Sequence, residues 1–315
     1  FDSADFMVLD GFGELTTGMC GHAGPEGVDT FLHYPTPHSM GSFYSVFTDY
    51  MGFHPDGDEW KVMALSALGD SSVYYDKIRP LVRVEGLRFE LDLSFFEHYI
   101  FFKPGFYSDK LVELLGPPLP AGAVPGRREY DIVAAVQRVA EETLFALLNA
   151  LHARTGSDSL VVGGGFFMNS VLNGKLQAGT PYRHVFIGGS PDDSGISIGS
   201  ALHGARGVLN LPSCRAAARH NYFGVTYSNE AILAELKRLK IRHAHLDNPP
   251  ATAARVIHDG RILGWFQGGS EFGQRALGGI QFQSGPCIRP GFGQQQKRPA
   301  PSLDQAPVEN DRSFL

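Results

Sequence analysis

The chain has 315 residues and a formal net charge of -6, so it is long enough for two domains and has no basic excess. Hydrophobic residues make up 43% and charged residues 19%, which is typical of a globular protein that buries a core. The acidic balance argues against a nucleic-acid-binding surface, and no apolar run is long enough for a membrane span. The 3 cysteines are widely spaced and form no Cys-x-x-Cys pair, which favours reduced thiols. We therefore expect a cytoplasmic protein that binds neither nucleic acid nor membrane.

The first predicted element is a β-hairpin over "DFMVLDGFGELTTGMCGH", with its turn at Gly11–Gly13. It begins almost at Phe1, so we expect a fragment whose N-terminus lies upstream. Asp10 ends the first strand, where a carboxylate can hold a divalent cation while turn amides face phosphate. The same residue can instead stabilise the turn by bonding its own backbone. The local sequence alone favours this second role.

Helices are predicted on both sides of a Pro/Gly loop at residues 117–128. Aromatic residues at helical spacing predict a buried helix over residues 39–53. The clearest helix is predicted over residues 131–155, with Asp131 capping its start and Gly156 its end.

Strand, loop and helix then alternate twice, over residues 160–176 and 184–207, which indicates the α/β class. Gly163, Gly164 and Gly165 separate the first strand from its helix, so their backbone N–H groups can face an anion or a nucleotide. Asn169 and Asn173 lie four residues apart and are expected on one helix face. The alternative is a tight turn followed by two ordinary polar residues.

The second alternation carries two carboxylates, Asp192 and Asp193, followed by Gly195 and a helix. One of these carboxylates could complete a metal site with Asp10. The alternative is a helix N-cap beside an exposed aspartate, which is a common arrangement. The metal hypotheses for the two turns are coupled, because two acidic turns at strand ends can hold one metal–phosphate unit between them.

A second domain is predicted after a linker at residues 211–221. It begins with an amphipathic helix that Ser228 caps, and continues with a helix and a strand leading into "GWFQGGSEFGQRALGG". In this loop Glu271 and Arg275 could form a helical ion pair, but the surrounding glycines favour contact with a ligand. The tail at residues 280–315 lacks periodic apolar residues and is predicted to be disordered.

Several stretches occur in the order known from one family and cover residues 5–279. They are "VLDGFGE", "PHSMGSFYSVFTDYMGF", "GDEWKVMALSALG", "GGGFFMNSVLNGKL", "SPDDSGISIGSAL" and "GWFQGGSEFGQRALGG". On these segments the chain resembles the O-carbamoyltransferases of the nodulation-protein U and antibiotic-tailoring type.

The resemblance implies a metal-dependent actin/Hsp70-like (RNase H-like) domain at residues 1–212, N-terminally incomplete, followed by the start of a YrdC-like α/β domain at residues 213–279. The smaller domain would make carbamoyl-adenylate from ATP and carbamoyl phosphate, and the larger would pass the carbamoyl group to a hydroxyl of a sugar or natural product. The expected partners are therefore small molecules, and the chain could also form a homo-oligomer.

The resemblance also assigns roles to residues. Asp10 and Asp193 match the family's metal aspartates, with Fe2+ as the expected cation. The match places Gly163, Gly164, Gly165 and Asn169 on the nucleotide loop, to which Asn173 and Gly195 are added as nucleotide contacts. Glu271 and Arg275 would meet carbamoyl phosphate.

The chain departs from the family pattern at three places. In the family, two metal-binding histidines precede the "VLDG" strand; here that strand begins almost at Phe1, so the histidines are expected upstream of it. Gly269 stands where an Arg is usual, and Gln274 stands where a Pro is usual. The resemblance ends abruptly after Gly279, which motivates the hypothesis of a frameshift there. Two alternatives follow: a non-catalytic nucleotide-binding remnant, and a related threonylcarbamoyl-transfer or actin-like ATPase domain. The "SEFGQRALG" segment argues against the second, because those proteins end before it.

Overall fold

A computed structural model describes residues 1–212, residues 220–273 and the backbone of residues 280–284. The chain divides into two compact units, Phe1–Leu211 and Pro212–Leu315. Helices and strands alternate as predicted, so the α/β class is confirmed.

The first unit contains a mixed sheet and the helices around it. Its strands are β1 (Ala4–Leu9), β2 (Thr16–Gly24), β3 (Gly27–Pro35), β4 (Val82–Glu85), β5 (Arg88–Leu91), β6 (Ser159–Gly163) and β7 (His184–Ile187). Its helices are α1 (Met40–Tyr50), α2 (Glu59–Ser66), α3 (Ser72–Ile78), α4 (Asp109–Leu115), α5 (Arg127–Thr155), α6 (Ser170–Asn173), α7 (Leu176–Gly179) and α8 (Ile196–His203). Short 3-10 turns lie at Arg79–Leu81, Gly165–Met168 and Asp193–Gly195, and a π-helical turn at Gly204–Val208 follows α8.

The main sheet has the strand order β3-β2-β1-β6-β7. Strands β1, β2 and β3 are antiparallel neighbours, which confirms the predicted hairpin around Gly11–Gly13. Strand β6 is parallel to both β1 and β7. The carboxyl ends of β1, β6 and β7 therefore lie at one edge of the sheet, where ligands of α/β proteins commonly bind.

Helix α5 is amphipathic and contacts α1, α2, α3 and the strands β1, β2 and β4. Its apolar face is fully buried, including Val136, Val139, Leu148 and Leu151. Gly156 ends it in the left-handed conformation, with φ 68°, as predicted.

The predicted start of α5 is wrong, because the helix begins four residues earlier, at Arg127. The Glu129 side chain accepts a hydrogen bond from the Gly126 backbone N–H at 2.9 Å, which satisfies one donor at the true start. Asp131 instead lies inside the helix and accepts the Asp70 backbone N–H at 2.7 Å. Its role is to join the α2–α3 connection to α5.

Thr143 of α5 is fully buried, and its hydroxyl has no hydrogen-bond partner among the described residues. Thr143→Val should therefore raise the free energy of unfolding of this unit by about 1 kcal/mol, because Val avoids burying an unsatisfied hydroxyl. The measurement is urea denaturation followed by Trp60 fluorescence. A Trp265→Phe background leaves Trp60 alone, since the chain has 2 tryptophans.

Thr48 of α1 is the matched control for this substitution. It is equally buried, but its hydroxyl donates to the Tyr44 carbonyl at 3.1 Å. Thr48→Val is expected to lower the stability. The same sign of change at both positions would contradict the explanation.

A buried polar cluster lies at the amino end of β1, which is the opposite end of the strand from Asp10. The Asp5 carboxylate is fully buried and accepts from the hydroxyls of Thr155 and Tyr182, both at 2.6 Å. Its other oxygen lies 2.8 Å from His22 Nδ1. Burial and the neighbouring Asp5 raise the pKa of Tyr182, so its hydroxyl remains a donor. The cluster joins β1, β2, the end of α5 and the segment before β7.

The second unit contains the helices α9 (Asn229–Arg238) and α10 (Pro249–His258) and the antiparallel pair β8 (Ile262–Phe266) and β9 (Ile280–Ser284). Ser228 caps α9 as predicted, and its hydroxyl accepts from the Ala231 backbone N–H at 3.2 Å. The prediction that the tail is disordered from residue 280 is wrong for β9. Its sequence, "IQFQS", alternates apolar and polar residues, which is the strand pattern that the prediction overlooked.

Among the described residues, none of the helices combines the length and the apolar character needed to cross a lipid bilayer.

Candidate functional site

Three turns meet at the edge of the sheet where β1, β6 and β7 end. Asp10 follows β1, Gly163 to Gly165 end β6, and Asp192 and Asp193 come after β7. The turns after β6 and β7 are joined directly, because the Gly164 N–H donates to the Pro191 carbonyl at 2.6 Å. The structure thus brings the Asp10 turn to the glycine loop and to the Asp192–Asp193 turn, which both lie more than 150 residues after it in the sequence.

Asp10 is half-buried in this edge. Its Oδ1 accepts the Gly11 N–H at 2.8 Å, and the Gly165 N–H also hydrogen-bonds to its carboxylate. Burial raises the pKa of Asp10, the two amide bonds lower it, and the charges of Asp193 and Asp192 raise it further, so the pKa lies above its ordinary value. Asp10 therefore does bond its own turn, and it also takes part in a cluster of carboxylates.

Helix α1 fixes the Asp10–Gly11 turn from the other side. The Ser39 hydroxyl donates to the Asp10 carbonyl at 2.6 Å, and the Ser42 hydroxyl donates to the Gly11 carbonyl at 2.8 Å. Ser39 is also the N-cap of α1, since its Oγ accepts the Ser42 N–H at 2.9 Å. Sequence reasoning missed this support, although a serine just before an apolar helical pattern is a recognisable capping signal.

The two carboxylates after β7 differ in their surroundings. Asp192 is half-buried and accepts from the Ser190 hydroxyl at 2.5 Å and from the Ser194 hydroxyl at 3.3 Å. Asp193 is exposed at the start of the 3-10 turn. A Cβ at Gly195 would lie 2.3 Å from the Ser190 carbonyl oxygen, so this turn requires glycine.

The acidic turns offer carboxylate ligands to a divalent cation. The carboxylates of Asp10 and Asp193 fit such an ion in charge and in donor type, and their mutual repulsion is what a cation relieves. They supply only part of a coordination shell. Across residues 1–212 and 220–273, no group of three or more His, Cys, Asp or Glu side chains is placed to hold a metal.

The glycine loop lies directly against β1. Gly164 has φ +94°, and a Cβ there would lie 2.1 Å from the Leu9 carbonyl oxygen. A Cβ at Gly165 would lie 2.8 Å from Asp10 Oδ1. These glycines therefore allow the close approach that presents the Gly165 N–H to the carboxylate.

The single helix predicted after the glycines is wrong, because a 3-10 turn and then the four-residue α6 follow them. The break occurs at Asn169, whose Oδ1 caps α6 by accepting the Leu172 N–H at 3.0 Å. Asn169 and Asn173 do not share a helix face, since one precedes α6 and the other ends it. The Asn173 amide donates to the Phe167 carbonyl at 2.6 Å.

The candidate residues of the second unit are only partly described. Glu271 is half-buried in an irregular segment that follows Gly268, which has φ +68°. The Gly224 N–H donates to the Ser270 carbonyl at 3.0 Å, so this segment packs on residues 221–224. Arg275, the other predicted contact of carbamoyl phosphate, lies outside the described residues, as does Gly279, near which the frameshift is hypothesised.

Comparison with known proteins places the chain in a family. A family model described as "Carbamoyltransferase N-terminus" matches residues 1–202. An uncharacterized protein of Synechocystis sp. is 30% identical over 295 residues, which is 89% of this chain and 46% of that protein. Nodulation protein NolO of Bradyrhizobium diazoefficiens is 28% identical over 294 residues, which is 91% of this chain and 50% of that protein.

A third relative is Nodulation protein NolNO of Sinorhizobium fredii, 27% identical over 292 residues, which is 91% of this chain and 41% of that protein. The chain spans about half the length of the curated relatives that it matches. The family resemblance seen in the motifs is confirmed, and the chain belongs to the carbamoyltransferase family, with its N-terminal domain at residues 1–202.

Proposed function

We propose that the chain is part of an ATP-dependent carbamoyltransferase that moves a carbamoyl group from carbamoyl phosphate, through carbamoyl-adenylate, to a hydroxyl of a sugar or natural product. The observation that carries the proposal is the convergence of Asp10, the glycine loop and Asp193 at one sheet edge. The strand order β3-β2-β1-β6-β7, with antiparallel strands on one side and parallel strands on the other, supports the actin/Hsp70-like part of the proposal.

With a cation bound, the site suits an adenylate in charge. Its phosphate would lie beside the glycine loop, whose Gly164 and Gly165 N–H groups already donate to the Pro191 carbonyl and to Asp10. When bound between Asp10 and Asp193, a divalent cation such as Fe2+ would supply positive charge beside that phosphate. The half-burial of Asp10 strengthens each of these interactions relative to water.

The proposed chemistry has two steps. Carbamoyl phosphate, ATP and water would give carbamoyl-adenylate, phosphate and pyrophosphate, in the smaller domain to which Glu271 and Arg275 are assigned. The acceptor hydroxyl would then attack the carbamoyl carbon, lose its proton, and displace AMP. In this step the groups around Asp10 would orient the adenylate phosphate that becomes the leaving group.

The test of the site is binding of ADP to the whole chain by equilibrium dialysis, with and without Mn2+. Mn2+ is expected to strengthen ADP binding. Asp10→Asn is expected to weaken the Mn2+-dependent binding by about 100-fold, because one charged ligand is lost. The control is Asp29→Asn on the exposed face of β3, which should bind as the wild type does. Unchanged binding by Asp10→Asn would leave Asp10 with its turn-stabilising role only.

The activity is tested by pyrophosphate release from ATP that depends on carbamoyl phosphate. Release that stops when carbamoyl phosphate is omitted supports the transferase. Nucleotide binding without such release would favour the alternative, a non-catalytic nucleotide-binding member of the family.

A further inference from the structure

A buried pair of amide side chains joins α5 to the end of the glycine loop. The Asn169 amide nitrogen donates to Gln137 Oε1 at 2.8 Å, and Gln137 Nε2 donates to Asn169 Oδ1 at 3.2 Å. The two residues are 8% and 4% exposed. This reciprocal pair connects positions that are 32 residues apart in the chain.

The protein fills all four hydrogen-bonding positions of the Gln137 amide and three of those of Asn169. Gln137 also accepts from the Tyr44 hydroxyl at 2.8 Å and donates to Glu141 Oε1 at 2.9 Å. Asn169 Oδ1 also accepts the Leu172 N–H at 3.0 Å. A nucleotide that replaced these contacts of Asn169 would leave Gln137 or the Leu172 N–H without its buried partner.

We propose that Asn169 is a positioning residue rather than a nucleotide contact, and that Gln137 is the residue through which it acts. The proposal rests on the proposed function, in which the glycine loop meets a nucleotide phosphate. It changes the role of Asn169, which the family resemblance had placed among the nucleotide contacts, and it adds Gln137 of α5 to the residues that shape the site.

The connection from the pair to the site runs through the loop backbone. The Asn169 N–H donates to the Phe166 carbonyl at 3.3 Å, and the Phe167 N–H donates to the Gly164 carbonyl at 3.0 Å, so Asn169 closes the 3-10 turn that starts at Gly165. Holding Asn169 on α5 therefore holds the Gly165 N–H against Asp10. Lys175 follows α6, and its Nζ lies 2.6 Å from Glu141 Oε1 of α5. This ion pair gives the segment around α6 a second contact with α5.

The test is a double-mutant cycle with Gln137→Leu, Asn169→Ala and the double variant. Two quantities are measured: Mn2+-dependent ADP affinity and, without nucleotide, hydrogen exchange of the amides at residues 163–169. Each single variant should weaken ADP binding about tenfold, the double variant no further, and all three should speed exchange in the loop. Exchange in β4 and β5 should stay unchanged, which separates loop positioning from a general loss of stability.

Asn169→Ala also removes the N-cap of α6. Gln137→Leu separates this effect from the loss of the amide pair, because it leaves the Asn169 bond to the Leu172 N–H in place. Thr143→Val on the same helix is the control for a polar change in α5: it should leave ADP affinity unchanged and should not speed exchange in the loop. If Gln137→Leu prevents folding, Tyr44→Phe removes a single hydroxyl of the network and should weaken binding about threefold.

Two outcomes would overturn the proposal. One is wild-type ADP affinity in Gln137→Leu together with a loss in Asn169→Ala, which would make Asn169 a direct contact. The other is unchanged loop exchange in Gln137→Leu. If the wild-type chain binds no ADP, the proposed function fails, while the exchange measurement still decides whether Gln137 positions the loop.

Discussion

Gly164→Ala is expected to destabilise the first unit by about 4 kcal/mol. The residue has φ +94°, which a side chain disfavours, and its new Cβ would lie 2.1 Å from the Leu9 carbonyl oxygen and 2.6 Å from the Leu9 carbonyl carbon. The obstacle is the backbone of a central strand, which cannot rotate away as a side chain could. The backbone strain and the steric overlap add, so the loss of stability is larger than that caused by most single substitutions.

The loss is measured by urea denaturation through Trp60, in the Trp265→Phe background. Gly199→Ala in α8 is the matched control: it also adds one methyl group, but outside its chain neighbours and the backbone of its own helix no described atom lies within 4 Å of the new Cβ. Since alanine is the better helix former, this control should gain about 0.5 to 1 kcal/mol. A Gly164→Ala variant within 1 kcal/mol of the wild type would mean that the glycine loop does not lie against β1.

Asp5→Ala is expected to cost about 3 kcal/mol, although Asp5 lies at the opposite end of β1 from the candidate site. The substitution removes the acceptor of the buried Thr155 and Tyr182 hydroxyls and the partner of His22. Each donor left unsatisfied adds a desolvation penalty to the lost bond. The cost should appear in urea denaturation of the first unit, measured as for Gly164→Ala.

Two milder variants separate the role of the hydrogen bonds from that of the charge. Asp5→Asn keeps one acceptor oxygen for the two hydroxyls and can donate to a neutral His22, so it should cost about 1 kcal/mol. Tyr182→Phe removes a single donor and should cost a similar amount. A cost of Asp5→Asn as large as that of Asp5→Ala would show that the negative charge, rather than acceptance of hydrogen bonds, holds the cluster together.

The main elements could be predicted because they have local signals. Alternating strands and helices around Gly163–Gly165 and Asp192–Asp193 indicated the α/β class, and the two acidic turns at strand ends suggested that Asp192 or Asp193 shares a site with Asp10. The start of α5 could not be located in the same way. Asp131 is a good capping residue by type, but its carboxylate bonds the backbone of Asp70, a contact that the sequence does not reveal.

Side-chain partners were harder to predict than elements. Asn169 is a polar residue after a glycine loop, a position that suggests ligand binding, yet its amide is taken up by Gln137. A weak signal did exist: Gln137 and Glu141 stand four residues apart among the apolar positions of α5, and polar residues on a buried face indicate partners. Which partners they have depends on tertiary packing, as does the contact of Asp5 with Tyr182, 177 residues away.

The pairing of β1 with β6 also has a consequence for synthesis on the ribosome. Strands β1 to β3 can form a meander as soon as they emerge, but β6 begins 150 residues after β1 ends, at Ser159 compared with Leu9. At about 5 to 20 residues per second, the free edge of β1 would wait roughly 8 to 30 s for its partner. During that interval the nascent chain exposes an unpaired strand edge, which is the surface through which chains aggregate.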